Sequence, residues 1–478
     1  MIAKGEGIGI RIDLSGILQG IAITSSGCVV LTEKEKQKQL EYIVWYESYA
    51  KKVKKEELLE EIINSQRWES RDWGIYEKET EEKIKIRHLS QKDNSIVIAG
   101  RKNYYWIREP LNLRELVQAI YKIIYQPKIV SSQENAPDIL EETKTLQGRI
   151  EEGIKNIKII GYLNEENKIG EGLIINGESE FDYVIIEKEK RIKGEKTKQR
   201  INYRIKKREK EEIADVLRIG KDNIIVISRK PMENEAYMYK VTKINPKENS
   251  YEQMYPLGIF SSITRIEKIF SEDGEIYLMS TSIPRELREM KVKYNDEFFL
   301  SKLRETENEK EKAQRLELGS PPSSYILDWP DIYYVGGVGE EEKGKVERKI
   351  RALRIYEEEG ITKIKELLKI NLHCNQLVKY HASENKLIFL ALTDTSLLGF
   401  QVEKNMNKYE SKELFRERIV EFPDVLGARM NKSLIAYGIN KIVIIPKRKI
   451  EELLSVKEDN NRPEDDYLYK DFPEPRGY

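Results

Sequence analysis

One unit recurs along this chain and limits what it can fold into. It is a short apolar segment, a polar turn, a second segment of near-continuous β-branched residues, another turn and a third apolar segment. The clearest copy runs from Ile213 to Ile219, turns at Gly220-Lys-Asp222, continues as Asn223-Ile-Ile-Val-Ile-Ser228 and ends with Ala236-Tyr-Met-Tyr-Lys-Val241. Branched and aromatic residues fill the segments, while Gly, Asp and Asn fill the breaks, so propensity and turn chemistry both indicate strands.

Other copies share the plan. Ile263 to Phe270, Glu275 to Ser280 and Leu287 to Val292 form one. Leu377 to His381, Lys386 to Ala391 and Leu397 to Val402 form a second. Val425 to Met430, Leu434 to Tyr437 and Lys441 to Ile445 form a third. Ile84 to Leu89, Ser95 to Ala99 and Tyr104 to Ile107 form another, as do Gly20 to Thr24, Cys28 to Leu31 and Tyr42 to Trp45. Two looser copies join Asp331 to Val335 with Arg351 to Tyr356, and Gly172 to Ile175 with Tyr183 to Ile186. Copies recur at roughly 45 to 70 residues, the range of propeller blades with insertions.

A small antiparallel sheet exposes two faces and does not stand alone. The middle segment of each copy is apolar at consecutive positions, so both of its faces need cover. Stacking the units around an axis supplies that cover. The expected fold is all-β, a β-propeller of seven or eight blades with a few helical rim insertions. A sandwich stops well short of this length, and a β-solenoid has shorter, more even rungs. On these repeats the chain, from about Gly7 to Lys447, resembles the WD40-like β-propeller superfamily in architecture. No copy ends in Trp-Asp or carries a Gly-His pair. The resemblance implies a scaffold that binds partners on its faces or decorated hairpins.

The bulk numbers fit this reading. The chain has 478 residues, 39% apolar and 35% charged, with Lys plus Arg and Asp plus Glu at 83 each. Equal charge predicts no global pull on nucleic acid or acidic membrane, leaving only local patches. Two cysteines, Cys28 and Cys374, are too few for a disulfide framework or a four-thiolate zinc site. No apolar run approaches the roughly 20 residues of a membrane span, and Met1 to Leu14 lacks the apolar stretch of a signal peptide. A soluble, cytoplasmic protein without membrane contact is expected.

Residues 1–448 are assigned to the propeller with its insertions. Helical insertions are expected over 51–66 and 110–155. In the first, Val53, Leu58, Leu59, Ile62 and Ile63 recur at near-helical spacing. In the second, Leu113, Leu116, Val117, Ile120 and Ile124 do so before Pro127, and Asp138 to Ile154 is a further candidate helix. A basic hairpin is expected over 182–210 and a charged helix or loop over 300–323. Residues 449–478 read as a tail, either disordered or docking on a partner.

Candidate partner-binding residues fall in two places. The hairpin carries Arg191, Lys193, Arg204, Lys206, Lys207 and Arg208, which suit phosphates or an acidic partner. Interspersed Glu189, Glu195 and Glu209 also suit a plain edge kept from aggregating by charge. The tail carries Tyr467, Tyr469, Phe472 and Tyr478 among acids and prolines.

Nothing in the sequence assembles into a catalytic group. The three histidines, His88, His373 and His381, lack ligand spacing. His373 and Cys374 are adjacent, so on a strand they point to opposite faces and make no nucleophile pair. Gly336-Gly-Val-Gly339 is followed by no Lys-Ser or Lys-Thr and opens no helix. No cofactor and no metal are expected. The expected function is a non-enzymatic scaffold that holds other protein subunits in an assembly. The alternatives are a nucleic-acid-associated, RNA-binding propeller using the hairpin, and an enzyme with carboxylates in the central channel.

Overall fold

The computed structural model describes residues 7–45, 50–54, 57, 84–92, 95–108, 113–125, 145–163, 169–177, 180–192, 195–206, 211–219, 223–232, 236–245, 248, 250–261, 265–272, 275–282, 297–303, 313–319, 322–338, 347–405, 408–420, 422, 425–430 and 433–455. Its strands form eight four-stranded antiparallel sheets, the blades of a β-propeller. The first strands of blades 1 to 8 are Ile17–Ile23, His88–Lys92, Asn156–Leu163, Glu212–Ile219, Arg265–Glu272, Ser324–Asp328, Gln376–Ala382 and Gly427–Met430. First strands of blades 1 to 5, and of blades 6 to 8, lie side by side around the axis. The all-β propeller expected from the repeats is the fold, with the larger of the two blade counts.

The second strand of each blade explains the ring. In blade 2, Ser95–Ala99 is buried at every position. Ile96 and Ile98 pack with Val29 and Leu31 of blade 1, while Val97 and Ala99 pack with Leu173 and Ile175 of blade 3. Blade 7 does the same: Leu387, Phe389 and Ala391 meet Tyr333 and Val335 of blade 6, and Leu390 and Leu392 meet Leu434 and Ala436 of blade 8. Alternate residues of a strand point to opposite faces, so an unbroken apolar run needs a neighbour on each side. Each such Leu, Ile or Phe contributes roughly 2 kcal/mol by leaving water.

The ring closes at its first and last blades. Ile10–Asp13 forms the outer strand of blade 8, pairing antiparallel with Lys441–Pro446 from Ile10 opposite Ile444 to Asp13 opposite Lys441. Blade 8 therefore takes three strands from one end of the chain and one from the other. Across the seam, Ile435, Ile442 and Ile444 share a core with Ile21, Cys28 and Val30 of blade 1. Both Cys28 and Cys374 are free and buried.

Two details recur that the repeats do not display as sequence. The first strands of blades 1, 4, 5 and 7 carry a register shift, between Leu18 and Gly20, Ile213 and Asp215, Ile266 and Lys268, and Lys379 and His381. Bulges there add twist where strands crowd the axis. In addition, Gly148, Gly399 and Gly427 stand opposite Tyr104, Phe415 and Tyr437 in register. A Cβ on Gly399 would meet the Phe415 ring at 2.4 Å, so the aromatic lies where a side chain would be.

Among the described residues two helices of more than one turn decorate the ring. Helix α1 (Leu113–Tyr125) buries Leu113, Leu116, Val117, Ile120, Ile123 and Ile124 in the core shared by blades 1 and 2. Helix α2 (Lys447–Ser455) follows the last strand directly and buries Ile450 against blades 7 and 8.

Four boundaries differ from the sequence expectations. Residues 51–53, assigned to a helix over 51–66, belong to Ala50–Val53, the outer strand of blade 1, because Ala50 is buried opposite Trp45. Thr145–Arg149, placed within the helical insertion 110–155, is the outer strand of blade 2, where Gly148 makes room for Tyr104. In the charged segment 300–323, Leu300 to Leu303 end the third strand of blade 5 and Ala313–Gly319 form its fourth, because Leu316 and Leu318 enter the core. Residues 449–455 of the expected tail belong to α2, held by Ile450. The third strand of blade 5 is Glu297–Leu303; residues 287–292 lie outside the described residues.

Replacing Gly399 by Ala is expected to destabilise the fold by about 2 kcal/mol through overpacking against Phe415. Chemical denaturation checks this, and G399A combined with F415L should recover part of the loss.

Candidate functional site

A dense polar cluster lies between blades 6 and 7. Asp328 ends the first strand of blade 6, and Asp331 opens the second strand, Asp331–Val338. Asp331 is 1% exposed. Arg354, on the third strand, donates from Nε to Oδ1 at 2.9 Å and from Nη2 to Oδ2 at 3.3 Å. Tyr409, at the start of the outer strand of blade 7, donates its hydroxyl to the same carboxylate and accepts from Arg354. Burial, followed by the hydrogen bond to Asp331, pushes the Tyr409 phenol well up. Burial and the charge of Asp331 do the same to Tyr333, whose ring stacks on Tyr409 at 6.4 Å. Both phenols are therefore neutral. The Asp331 carboxylate is already occupied by three donor groups, which suits a latch better than a base.

A second ion cluster crosses the same seam. Asp328 receives Lys379 Nζ at 2.7 Å and Lys404 Nζ at 2.5 Å, both from blade 7. Burial works to raise the Asp328 carboxyl, but the two lysines outweigh it and hold the group below its ordinary value. Between blades 5 and 6, Lys302 is nearly buried and bridges Glu275 and Glu357, and Trp329 lies over Tyr277 at 4.5 Å. These groups bind three blades to one another.

Side chains of the first strands stitch the inner wall, where no ladder joins one blade to the next. Gln91 accepts from Ile23 N and donates to Ile23 O, each at 2.7 Å, joining blades 2 and 1. Arg429 Nη1 of blade 8 donates to Gln91 O at 2.9 Å. Asp215 accepts from Ile269 N at 3.3 Å, and Ser324 Oγ accepts from Leu377 N at 3.0 Å. Asp215, a buried carboxylate of the inner wall, is thus committed to backbone donors, one of them Val216 N at 2.7 Å.

An exposed aliphatic cluster sits at the closure seam. Ile17, Leu426 and Ile439 are 55%, 59% and 47% exposed. They come from three segments: the entry to blade 1, the entry to blade 8, and the turn between the second and third strands of blade 8. Leu18 N donates to Ile439 O at 2.7 Å and Leu426 N to Tyr437 O at 2.9 Å, which draws the three segments together. In a four-stranded meander the blade entries and the turns between second and third strands share one end, so all three residues are on the same face of the ring.

The residues singled out in the sequence are distributed as follows. Arg191 is on the third strand of blade 3, Glu180–Ile192, opposite Lys196. Arg204 and Lys206 are on the fourth strand, Glu195–Lys206, opposite Asp182 and Glu180. Lys193, Lys207 and Arg208 lie outside the described residues, as do Tyr467, Tyr469, Phe472 and Tyr478. Sequence reasoning missed these aliphatic residues, although each adjoins a glycine: Gly16, Gly427 and Gly438. It also missed Gln91 and the Asp331–Arg354 pair, which nothing local distinguishes from other strand polar residues.

Among the described residues no group of three or more His, Cys, Asp or Glu side chains could hold a metal ion, and no helix is long and apolar enough to cross a membrane. No family model matches the chain, and no curated protein matches it. Similar solved structures include the extracellular domains 1–2 of Drosophila Semaphorin 1a, at 7% identity and TM-score 0.37, covering 78% of this chain and 88% of that one. The WD40 domain of SCAP from fission yeast is similar at 9% identity and TM-score 0.35, covering 91% and 96%. Polysaccharide lyase Uly1 is similar at 8% identity and TM-score 0.35, covering 75% and 89%. The architecture is that of a β-propeller. That statement stands on the sheet topology; likenesses this distant carry no argument about function.

Two predictions follow from the seam. Arg354→Met should destabilise the fold by on the order of 3 kcal/mol, because it leaves the buried Asp331 charge uncompensated. Adding Asp331→Asn should recover most of that loss in a thermal or denaturant melt. The lowered Asp328 carboxyl stabilises the fold above its ordinary value of 3.8, and this contribution is lost as pH falls through the lower folded value. Asp328→Asn should therefore cost stability at pH 7 and much less at pH 3, which paired denaturation curves would show.

Proposed function

We propose that this propeller acts by binding rather than by catalysis, as a scaffold subunit that holds another protein through the face bearing Ile17, Leu426 and Ile439. The observation that carries this reading is that three exposed aliphatic residues, on segments drawn together by backbone hydrogen bonds, stand at one end of the closure seam. Scattered exposed aliphatics are ordinary on any soluble surface, whereas three from separate segments on one seam form an apolar patch of the kind proteins use for contact. The blades beneath are fixed by the closure core, so the patch is presented without ordering cost. The partner suited to it is an extended apolar segment of another chain.

The chemistry of the seams supports the same reading. Asp331, Asp328 and Asp215 are each engaged by cations, a phenol or backbone N–H groups of the neighbouring blade or their own. Asp328, held below its ordinary value by Lys379 and Lys404, stabilises the seam in the ionised form, the opposite of a carboxyl held for proton transfer.

The test is purification of native assemblies with the wild-type chain and with a Leu426→Asp, Ile439→Asp variant. A stoichiometric protein partner should accompany the wild type and be lost from the variant, whose melt should be unchanged because the replaced side chains are exposed. A wild-type chain recovered without a stoichiometric partner, or a variant that retains it, would sink the proposal.

A further inference from the structure

Cations are spread unevenly over the end of the ring that bears Ile17, Leu426 and Ile439. The second and third strands of blade 1, Gly27–Lys34 and Gln37–Trp45, are joined by a turn at Glu35 and Lys36. This hairpin and the entry to blade 2 carry Lys34, Lys36, Lys38, Lys85 and Arg87, all exposed. The turn between the second and third strands of blade 2 adds Arg101 and Lys102, and the passage from its outer strand into blade 3 adds Arg149 and Lys155. From Glu33 to Lys38, Lys85 to Arg87, Arg101 to Lys102 and Arg149 to Lys155 there are nine cations against four carboxylates. Hydrogen bonds tie these segments into one sector. Lys38 Nζ donates to Arg87 O at 2.9 Å, Ile150 N to Lys102 O at 2.9 Å and Ile154 N to Arg101 O at 2.7 Å. The matching segments of blade 7, His373 to Gln376 and Thr393 to Ser396, hold no Lys or Arg, and neither do Leu426 to Gly427 and Gly438 to Asn440 of blade 8.

The backbone and a titrating group add to this. Lys34 pairs with Gln37, so Glu35 and Lys36 form a two-residue turn, with φ of 52° and 63°. Such a turn favours glycine, and the turn at Glu359 and Gly360 in blade 6 has one at its second position. Lysine at 36 keeps a charge at the hairpin tip against that backbone preference. His88, on the first strand of blade 2, is held below its ordinary value by burial and then by Lys38 and Arg87, against a hydrogen bond to the Ile154 backbone. The local field is therefore positive near the axis as well as at the hairpin. The sector also adjoins the aliphatic patch, because Ile17 stands opposite Glu33 at the root of the hairpin.

We propose that the protein segment held by Ile17, Leu426 and Ile439 continues into a run of carboxylates lying over this cation sector, a partner chemistry that rests on the aliphatic patch being the contact surface. Opposite charge across a contact steers the approach and fixes its direction. Here it would point the acidic part of the segment from the closure seam across blade 1 toward blade 2. The chain as a whole, with 83 cations and 83 carboxylates, exerts no net pull, so the attraction is confined to this sector. The phosphates of a nucleic acid would meet the same lysines and arginines. They have nothing to set on the three adjoining aliphatic residues, whereas one peptide serves both surfaces.

The experiment measures binding of the full chain to labelled probes by fluorescence anisotropy at low salt. The probes are a peptide with Leu at three alternate positions next to six Glu, made in both orders, the same peptides with Gln for Glu, and an oligouridylate RNA of equal length. The better Glu peptide should bind about tenfold or more tighter than its Gln counterpart, and added salt should shrink that advantage. The K36G/K85S/R101S variant should melt no lower than the wild type, since its replaced side chains are exposed and glycine suits the turn, and should bind the Glu and Gln peptides alike. Leu426→Asp, Ile439→Asp should weaken both peptides. Equal binding of Glu and Gln peptides by the wild type would overturn this inference and leave the patch standing. Gln-peptide binding unchanged by Leu426→Asp, Ile439→Asp would remove the patch and this inference with it. Tighter binding of the RNA, or no binding of any probe, would also overturn the proposal.

Discussion

The second strand of every blade is apolar on both faces, and neither face can be buried inside its own blade. Ile96 and Ile98 need blade 1, while Val97 and Ala99 need blade 3. Each blade thus completes two neighbours, and the last must complete the first. An open row would leave two terminal faces exposed to water, including the one formed by Ile435, Ile442 and Ile444. The closing strand Ile10–Asp13 answers this by tying the two chain ends into one sheet. Closure joins residues more than 400 apart in sequence, so it is costly in loop entropy and depends on the blades between being in place.

Apolar stacking alone does not set where one blade stops and the next begins. First strands meet near the axis with no ladder between them, and their backbone groups require partners. Gln91 supplies both a donor and an acceptor to Ile23, and Asp215 and Ser324 do comparable work at other seams. Farther from the axis, Asp331 and Asp328 are taken by Arg354, Lys379 and Lys404. A buried ion pair adds little net stability against an apolar substitute, but a misplaced blade would leave each of these charges unpaired. The polar groups therefore select register where the apolar ones supply cohesion.

This division explains what could be read from sequence. Cys28 to Leu31, Ser95 to Ala99, Asn223 to Ser228 and Lys386 to Ala391 are legible because double burial keeps their central positions apolar. Outer strands are much less legible, since only one side of them meets a core. Ala50–Val53 carries two lysines, and Ala313–Gly319 follows a charged stretch, so local composition reads as helix or loop. Thr145–Arg149 was hidden for another reason: it lies beyond an insertion containing a true amphipathic helix, and its Gly148 marks an approach by Tyr104 that only the partner strand reveals. The closing strand is legible only once the ring is assumed, because its partner lies at the other end of the chain. Of the candidate binding residues, Arg191, Arg204 and Lys206 lie on the paired third and fourth strands of blade 3, as the expected hairpin placed them.

The two proposed contact surfaces follow from the same constraint. Faces of blades are consumed by their neighbours, so what a propeller can offer is its two ends and its outer edges. At the closure seam, entries to two blades and a turn meet, and the requirement that both chain ends arrive there concentrates segments that are otherwise separated. One exposed aliphatic residue on each of these segments, Ile17, Leu426 and Ile439, is then enough to give the seam an apolar character. At the rim, the outer strand of each sheet keeps one edge unpaired within its own blade. Binding determinants can therefore change at both places while Ile96, Phe389 and Ile435 remain fixed by their neighbours, which separates the residues that make the ring from those that give it a partner.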